Sequence, residues 1–488
     1  MPDLKDKDFN PWAALALLCA AQFMVVLDAS IVNVALPSIG EALDFTQENL
    51  SWVVNAYVLV FGGFLLLGGR LADLLGRRAV FVAGLAIFSA ASLAGGLATN
   101  DTQLIIARAI QGLGGALFSP AALSIITAIF RDGKDRNKAL GAWGAVAGAG
   151  GAIGVLLGGV LTDFAGWEWV LWVNVPIGLA TIFLAFRLVP ESRASEMNRH
   201  FDLPGAFSVT AGLSVLVYAL VDADSVGWGS TQTILLLIIS AALLSAFVGV
   251  ERRAPSPLVP GRLVQAATVR GSNIVALLVG ASLFSMFFFV SLYMQQVLGF
   301  SPLETGLAYL PLAVTIIISA GVASQLVTRF GFKPILMTGL AFIAVGLAWF
   351  SRISVDGSYV ADVLGPSLLA AVGLGFSFVP VTIGAVAGIA EDDAGIASGL
   401  INASQQVGGA LGLAVLATIA NGKTDSAMEA AGGASSALPA ALTDGFQVAF
   451  MVGSGFAIAG LILTAVLIKT ADSRRFVEEG GDGVPVAA

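Results

Sequence analysis

The chain is written almost entirely in apolar runs of about 20 residues, the length of helix that crosses a hydrocarbon core of roughly 30 Å. Fourteen such runs fall at 12–38, 48–69, 79–98, 103–129, 138–162, 169–188, 204–222, 231–250, 270–298, 303–328, 334–351, 362–388, 395–420 and 446–468. Within lipid a backbone N–H or C=O finds no water, so an open strand is untenable and a helix that bonds to itself is favoured. These runs therefore predict an all-α integral membrane protein with 14 transmembrane helices. Composition agrees. Hydrophobic residues make up 57% of the 488 and charged residues only 11%, against about 25% in soluble domains. The 58 glycines are spread through the runs, as in helices that pack closely in lipid. The first run, from about Trp12 to Pro37, is longer than a signal-peptide core of roughly 7–15 residues, so no cleavable leader is expected.

The chain has one cysteine, Cys19, and one histidine, His200. An internal disulfide, a histidine relay and a multi-histidine metal site are thereby excluded, and neither a metal nor another cofactor is expected. No phosphate loop of the form G-x-x-x-x-G-K-[ST] and no nucleophile elbow appears, and the loops are too short for a catalytic domain. An enzyme or receptor is the least favoured class.

The sequence repeats internally. Leu71, Gly76, Arg78, Gly84 and Leu85 match Leu326, Gly331, Lys333, Gly339 and Leu340 at one fixed offset, which also pairs Leu43, Phe45 and Thr46 with Leu298, Phe300 and Ser301. Two copies of a six-helix unit with an extra helix pair between them are expected: an N-terminal bundle at 12–188, a linker with two helices at 189–262, a C-terminal bundle at 263–470 and a tail at 471–488. The alternative is chance similarity among glycine-rich apolar helices. Parallel halves with the site between them recur in secondary transporters. With the N-terminus inside, only Arg352 and Lys423 of the 24 Lys and Arg residues fall in outer loops, and Arg108 falls within a span. That asymmetry predicts cytoplasmic termini and gives no reason to expect a nucleic-acid partner. The Gly/Ala/Ser-rich segment 420–444 is expected to be a mobile external loop, and the acidic tail after Arg475 to be disordered.

Charges inside spans cost at least a few kcal/mol and mark function by default. Asp28 lies about ten residues from the outer end of the first span, roughly 15 Å deep, and Arg108 about six residues from the outer end of the fourth, roughly 9 Å deep. The two are placed to sense each other if both helices face one cavity. Asp28 reads either as a protonatable carboxylate that links proton flow to solute movement or as a static partner of Arg108, Asn33 or backbone. Arg108 reads as a coupling or substrate-contacting group or as a structural partner. Glu304 follows Ser301-Pro302-Leu303, the pattern of a capping box, and Glu48 after Thr46 suits a helix N-terminal dipole. Gln295 and Gln296 serve either a ligand or another helix.

The loop Gly69-Arg70-Leu-Ala-Asp73-Leu-Leu-Gly76-Arg77-Arg78 permits a tight reversal with charges at the helix ends. Its second copy has Thr328 in place of Asp73, so Asp73 reads as a latch or gate, or else as a capping carboxylate. This loop resembles that of the major facilitator superfamily. Leu27-Asp28-Ala-Ser-Ile-Val-Asn33-Val-Ala-Leu-Pro37 resembles the first-helix motif of its fourteen-helix drug:proton antiporters, and Arg108-Ala-Ile-Gln111-Gly112-Leu-Gly114 the fourth-helix motif. Gly150-Gly-Ala-Ile-Gly154-Val155-Leu-Leu-Gly158-Gly159 is similar to the fifth-helix antiporter motif, with Val155 where proline is usual. Trp172-Val-Asn-Val-Pro-Ile-Gly178 and Phe201-Asp202-Leu-Pro-Gly205 fit as well.

The resemblance implies a proton-coupled exporter of hydrophobic or amphipathic small molecules, such as drugs, antibiotics or natural products, working by alternating access. It implies residence in the plasma membrane as a monomer, with protons, a small-molecule substrate and the lipid bilayer as partners. Asp28 and Arg108 would couple protons. Gly69, Asp73, Gly76, Arg77 and Arg78 would form the gating loop, and Gly150, Gly154, Gly158 and Gly159 a packing seam. Asn33, Gln111, Phe287, Gln295 and Gln296 are candidates to line the cavity, and the Phe-rich stretch around Phe287 alternatively faces lipid or core. A superfamily carrier for a lipid-like or nutrient solute is the second reading.

Overall fold

The computed structural model describes residues 10–45, 52–130, 133–192, 203–254, 261–387 and 394–478, with Pro257, Val259 and Ile389. Glu48 lies outside them, as do His200 and most of the tail. The long helices are α1 (Pro11–Ala42), α2 (Trp52–Leu75), α3 (Arg77–Gly96), α4 (Asp101–Ile129), α5 (Gly133–Ala165), α6 (Trp169–Leu188), α7 (Leu203–Val226) and α8 (Thr231–Glu251). They continue with α9 (Ala267–Leu292), α10 (Leu310–Phe330), α11 (Phe332–Phe350), α12 (Gly365–Val386), α13 (Ala394–Ala430) and α14 (Leu438–Leu467). A short amphipathic helix follows, α15 (Thr470–Glu478). There is no β-strand among the described residues.

Eleven of these helices are long and apolar enough to cross a bilayer, and α2, bent by 51° between Trp52–Leu65 and Leu67–Leu75, makes up to twelve. In α5 and α7 the apolar part is shorter, at Ile153–Ala165 and Pro204–Leu220. The sequence expectation of fourteen spans is thus met by length and apolarity for eleven or twelve.

The helices pack in two matching patterns. α4 packs on α2 and α3, α1 on α5 and α6, and α3 on α6; likewise α12 packs on α10 and α11, α9 on α13 and α14, and α11 on α14. The crossings match in detail. A Cβ on Gly114 would lie 2.5 Å from Phe88 N and 2.8 Å from Gly84 O, and one on Gly373 would lie 2.6 Å from Ile343 N and 2.7 Å from Gly339 O. Phe88 and Ile343, like Gly84 and Gly339, stand 255 positions apart. Only glycine lets these backbones touch, so the repeated glycines encode a repeated crossing. The two patterns join along α5–α10 and α2–α13, and α7 packs on both α2 and α13, across that junction. Trp228, in the α7–α8 turn, donates to Thr418 Oγ1 of α13 at 2.7 Å.

Two segments differ from expectation. The stretch 420–444 is largely helical: α13 runs to Ala430, and α14 begins at Leu438 after a 3-10 turn at Ser435–Ala437. Its alanines are strong helix formers, and the helix stops where Gly432 and Gly433 take φ of 68° and 73°. The start of the tail is also helical, because α15 is anchored. Asp472 accepts from Thr268, and Ser473 Oγ accepts from Lys333 N at 3.1 Å. The capping box at Ser301 is formed, with Ser301 N donating to Glu304 Oε2 at 2.8 Å and Glu304 N to Ser301 Oγ at 3.1 Å.

Candidate functional site

The buried charges of α1 and α4 meet. Arg108 Nη1 donates to Asp28 Oδ2 at 2.6 Å, and the side chains are 1% and 0% exposed. Gln111, three residues after Arg108 and therefore on the same helix face, donates to Asp28 Oδ1 at 2.7 Å and accepts from Arg108 Nη1 at 2.6 Å. It is buried inside this cluster. Asn174 of α6 adds a third donor to the carboxylate, with Nδ2 2.8 Å from Oδ1. Ser92 of α3 accepts from Gln111 Nε2 at 2.6 Å. α2 completes the shell: Arg108 Nε donates to Val53 O at 3.0 Å, and its guanidinium lies 4.5 Å from the centre of the Tyr57 ring.

A carboxylate and a guanidinium taken out of water persist only when paired and hydrogen-bonded. Here one carboxylate receives three donors from two helices besides its own. Any change that removed the charge of Asp28 would leave Arg108 buried without its counter-charge. Asn174, Ser92 and Tyr57 were not singled out as site residues by sequence. The usable signal was Asn174 alone among apolar neighbours at the start of a span.

Asn33 is absent from this cluster. It is exposed and donates to Ala29 O of its own helix at 3.0 Å. Phe287 of α9 stacks on Tyr309 at 5.3 Å between ring centres and faces Gly151 of α5, where a Cβ would lie 3.7 Å away. Gln295 and Gln296 sit in a π-turn at Tyr293–Val297 that ends the α9 span, and Gln296 is exposed.

The α2–α3 loop holds a second buried ion pair. Arg77 Nε and Nη2 both donate to Asp73 Oδ1, at 3.1 and 3.0 Å, and Asp73 is fully buried. Gly76 takes φ 116° between the helices, and Gly69 is buried one and a half turns before the helix end. The loop is docked on the end of α6: Arg77 N donates to Ser192 O at 2.9 Å, and Arg78 N to Glu191 Oε1 at 3.1 Å.

The α5 glycines form the seam with α1. A Cβ on Gly150 would lie 3.0 Å from Val26 Cβ, one on Gly154 would strike Ser30 Oγ and lie 2.9 Å from Leu27 O, and one on Gly158 would lie 2.9 Å from Ile31 O. Gly159 is buried beside them. Val155 is buried within an unbroken helix.

A family model described as Major Facilitator Superfamily matches residues 18–413. The chain is 42% identical over 463 residues to the cephamycin export protein CmcT of Amycolatopsis lactamdurans, covering 94% of this chain and 93% of that one. It is 40% identical over 463 residues to the puromycin resistance protein pur8 of Streptomyces alboniger, covering 94% and 91%. Among solved structures it resembles the proton:xylose symporter XylE with a TM-score of 0.65 at 15% identity, covering 94% and 96%, a likeness of fold. The chain belongs to the major facilitator superfamily.

Proposed function

We propose that this protein exports hydrophobic or amphipathic small molecules, of the antibiotic or natural-product class, in exchange for protons. The relatives named for cephamycin export and puromycin resistance support the cargo class. The observation that carries the coupling is the buried Asp28–Arg108 pair with Gln111 and Asn174 around it. A proton entering from outside neutralises Asp28. Removing one partner of a buried pair is strongly destabilising, so protonation withdraws the counter-charge that holds Arg108 in this packing and favours the alternate packing of the halves.

In this reading the chain has fourteen spans, as six, two and six, with bundles at 12–188 and 263–470 and the α7–α8 pair within 189–262. Both termini lie in the cytoplasm, the protein resides in the plasma membrane, and it acts as a monomer. Asp73, with Gly69, Gly76, Arg77 and Arg78, latches the inner side, and the α1–α5 glycine seam lets the N-terminal bundle move as a unit. Phe287, and with it Gln295, Gln296 and Asn33, contributes to the passage. The test is a panel of toxic compounds given to cells with and without the protein, each with and without a protonophore. Protonophore-sensitive protection is expected. Protection that persists after the gradient collapses rejects proton coupling, and accumulation of a nutrient or lipid-like solute without any protection points to the other kind of carrier.

A further inference from the structure

Asn174 sits in α6 two residues before Pro176, which offers no N–H to the Trp172 carbonyl and crowds it. Val173, between Trp169–Trp172 and Asn174–Leu188, stays helical at φ −58° and ψ −28°, with its N–H bonded to Trp169 O at 3.0 Å. The Asn174 side chain is fully buried. Its Nδ2 lies 2.8 Å from Asp28 Oδ1 and 3.4 Å from Ser92 Oγ, and its Oδ1 has no hydrogen-bond partner among the described residues. A buried amide oxygen without a partner is costly and asks for an explanation.

The surroundings of Asp28 supply one. The carboxylate receives donors from Arg108, Gln111 and Asn174. A protonated Asp28 needs the reverse, an acceptor for its O–H. Gln111 Oε1 already accepts from Arg108 Nη1, Val53 O from Arg108 Nε, and Ser92 Oγ from Gln111 Nε2. Tyr57 Oη is buried without a donor but makes no hydrogen bond to Asp28. Among the described side chains hydrogen-bonded to Asp28, the acceptor without a donor is Asn174 Oδ1. Half a rotation about the terminal torsion of Asn174 exchanges its oxygen and nitrogen with little change of shape. The amide then carries one unmatched group in either orientation, so it favours neither state by itself.

We propose that Asn174 is a two-way positioning residue for Asp28: it donates to the charged carboxylate and, turned over, accepts from the neutral acid. The proton comes from a hydronium ion on the outer side: its O–H bond breaks as an O–H bond forms at Asp28 Oδ1, leaving water, and the reverse transfer to a water molecule on the inner side breaks the Asp28 O–H again. Among the described residues, the titratable or charged groups facing Asp28 are Arg108 of α4 and Tyr57 of α2. The α3 and α6 contacts are the neutral Ser92 and Asn174, and α5 presents glycines to α1. An amide, unlike a further carboxylate, serves both protonation states without adding charge.

The inference rests on proton uptake by Asp28, and the experiment separates the two. Infrared difference spectra of the purified full-length protein are recorded as pH is lowered, and the carboxylic-acid C=O band of Asp28 is identified by its loss in Asp28→Asn. In Asn174→Leu the band of the neutral acid is expected at higher wavenumber, as for an O–H without an acceptor. Asn174→Val carries the same expectation if the leucine variant fails to insert. A purely structural Asn174, or one that only donates to the charged form, leaves the band position unmoved, and that result overturns the proposal. If no pH-dependent band is lost in Asp28→Asn, Asp28 does not titrate, and both the coupling and this inference fall.

Discussion

Arg78 and Lys333 stand 255 positions apart and make the same tie at two places in the fold. Arg78 Nη1 donates to Val189 O at the end of α6 at 3.1 Å, and Lys333 Nζ donates to Ala465 O in the last turn of α14 at 2.9 Å. A basic group at a helix C-terminus meets both unsatisfied carbonyls and the negative end of the dipole. Each follows a glycine with positive φ, 116° at Gly76 and 84° at Gly331. Gly76→Ala and Gly331→Ala each put a Cβ on a backbone conformation that glycine alone adopts readily, at an expected cost of about 1–3 kcal/mol, and a Cβ on Gly331 would meet Ser473 Oγ and lie 2.6 Å from Ser473 O. Thermal unfolding of the detergent-solubilised variants measures this: a lowered unfolding temperature is expected for both, and an unchanged one contradicts the account.

The α1–α5 seam predicts a size limit. Gly154→Val places a side chain against Ser30 and the Leu27 carbonyl, and overpacking of this kind costs about 1–3 kcal/mol or more. Reduced yield of monodisperse protein on size-exclusion chromatography is expected, with loss of export in what remains. Gly227→Val, where nothing lies within 4 Å of a Cβ but φ is 92°, is the comparison for backbone strain without crowding. It should leave export largely intact.

The Trp228–Thr418 hydrogen bond is the α7–α8 turn's attachment to α13. Trp228→Phe and Thr418→Val should each destabilise by about 1 kcal/mol, the net worth of such a bond. The double variant should lose about 1 kcal/mol less than the sum of the two single ones, the coupling that the shared bond supplies. Additive losses in a double-mutant cycle of unfolding free energies would show that the bond contributes nothing.

Phe287 bridges Tyr309 and the α5 backbone at Gly151. Phe287→Ala removes a large apolar surface from the junction between the two packing patterns. A changed ranking of exported compounds is expected, measured as the ratio of protection across the panel. A uniform loss for every compound would assign Phe287 to packing alone.

The pairing of Asp28 with Arg108 was legible in the sequence because depth along a helix follows from residue count, and two opposite charges at like depth in an apolar medium have strong reason to meet. Azimuth was harder. Asn33 is close to Asp28 in sequence, yet five residues at about 100° each place it roughly 140° round the helix, and it bonds to Ala29 instead. Gln111, three residues from Arg108, stays within about 60° of it and joins the cluster. Asn174 comes from a helix 146 positions away from Asp28, a contact that no local period reveals. The close crossings were readable as glycine patterns, but their partners were not. The helical stretch to Ala430 was missed because glycines on either side outweighed the alanines between them.

The central claim is that Asp28 carries the proton that drives export. Its most direct test is proton flux: purified protein in proteoliposomes loaded with a pH-sensitive dye, challenged with a compound that the cell panel shows to be exported. The wild-type protein should release protons on addition of the compound, and Asp28→Asn should release none while still binding it. Undiminished compound-driven proton flux in Asp28→Asn would contradict the claim.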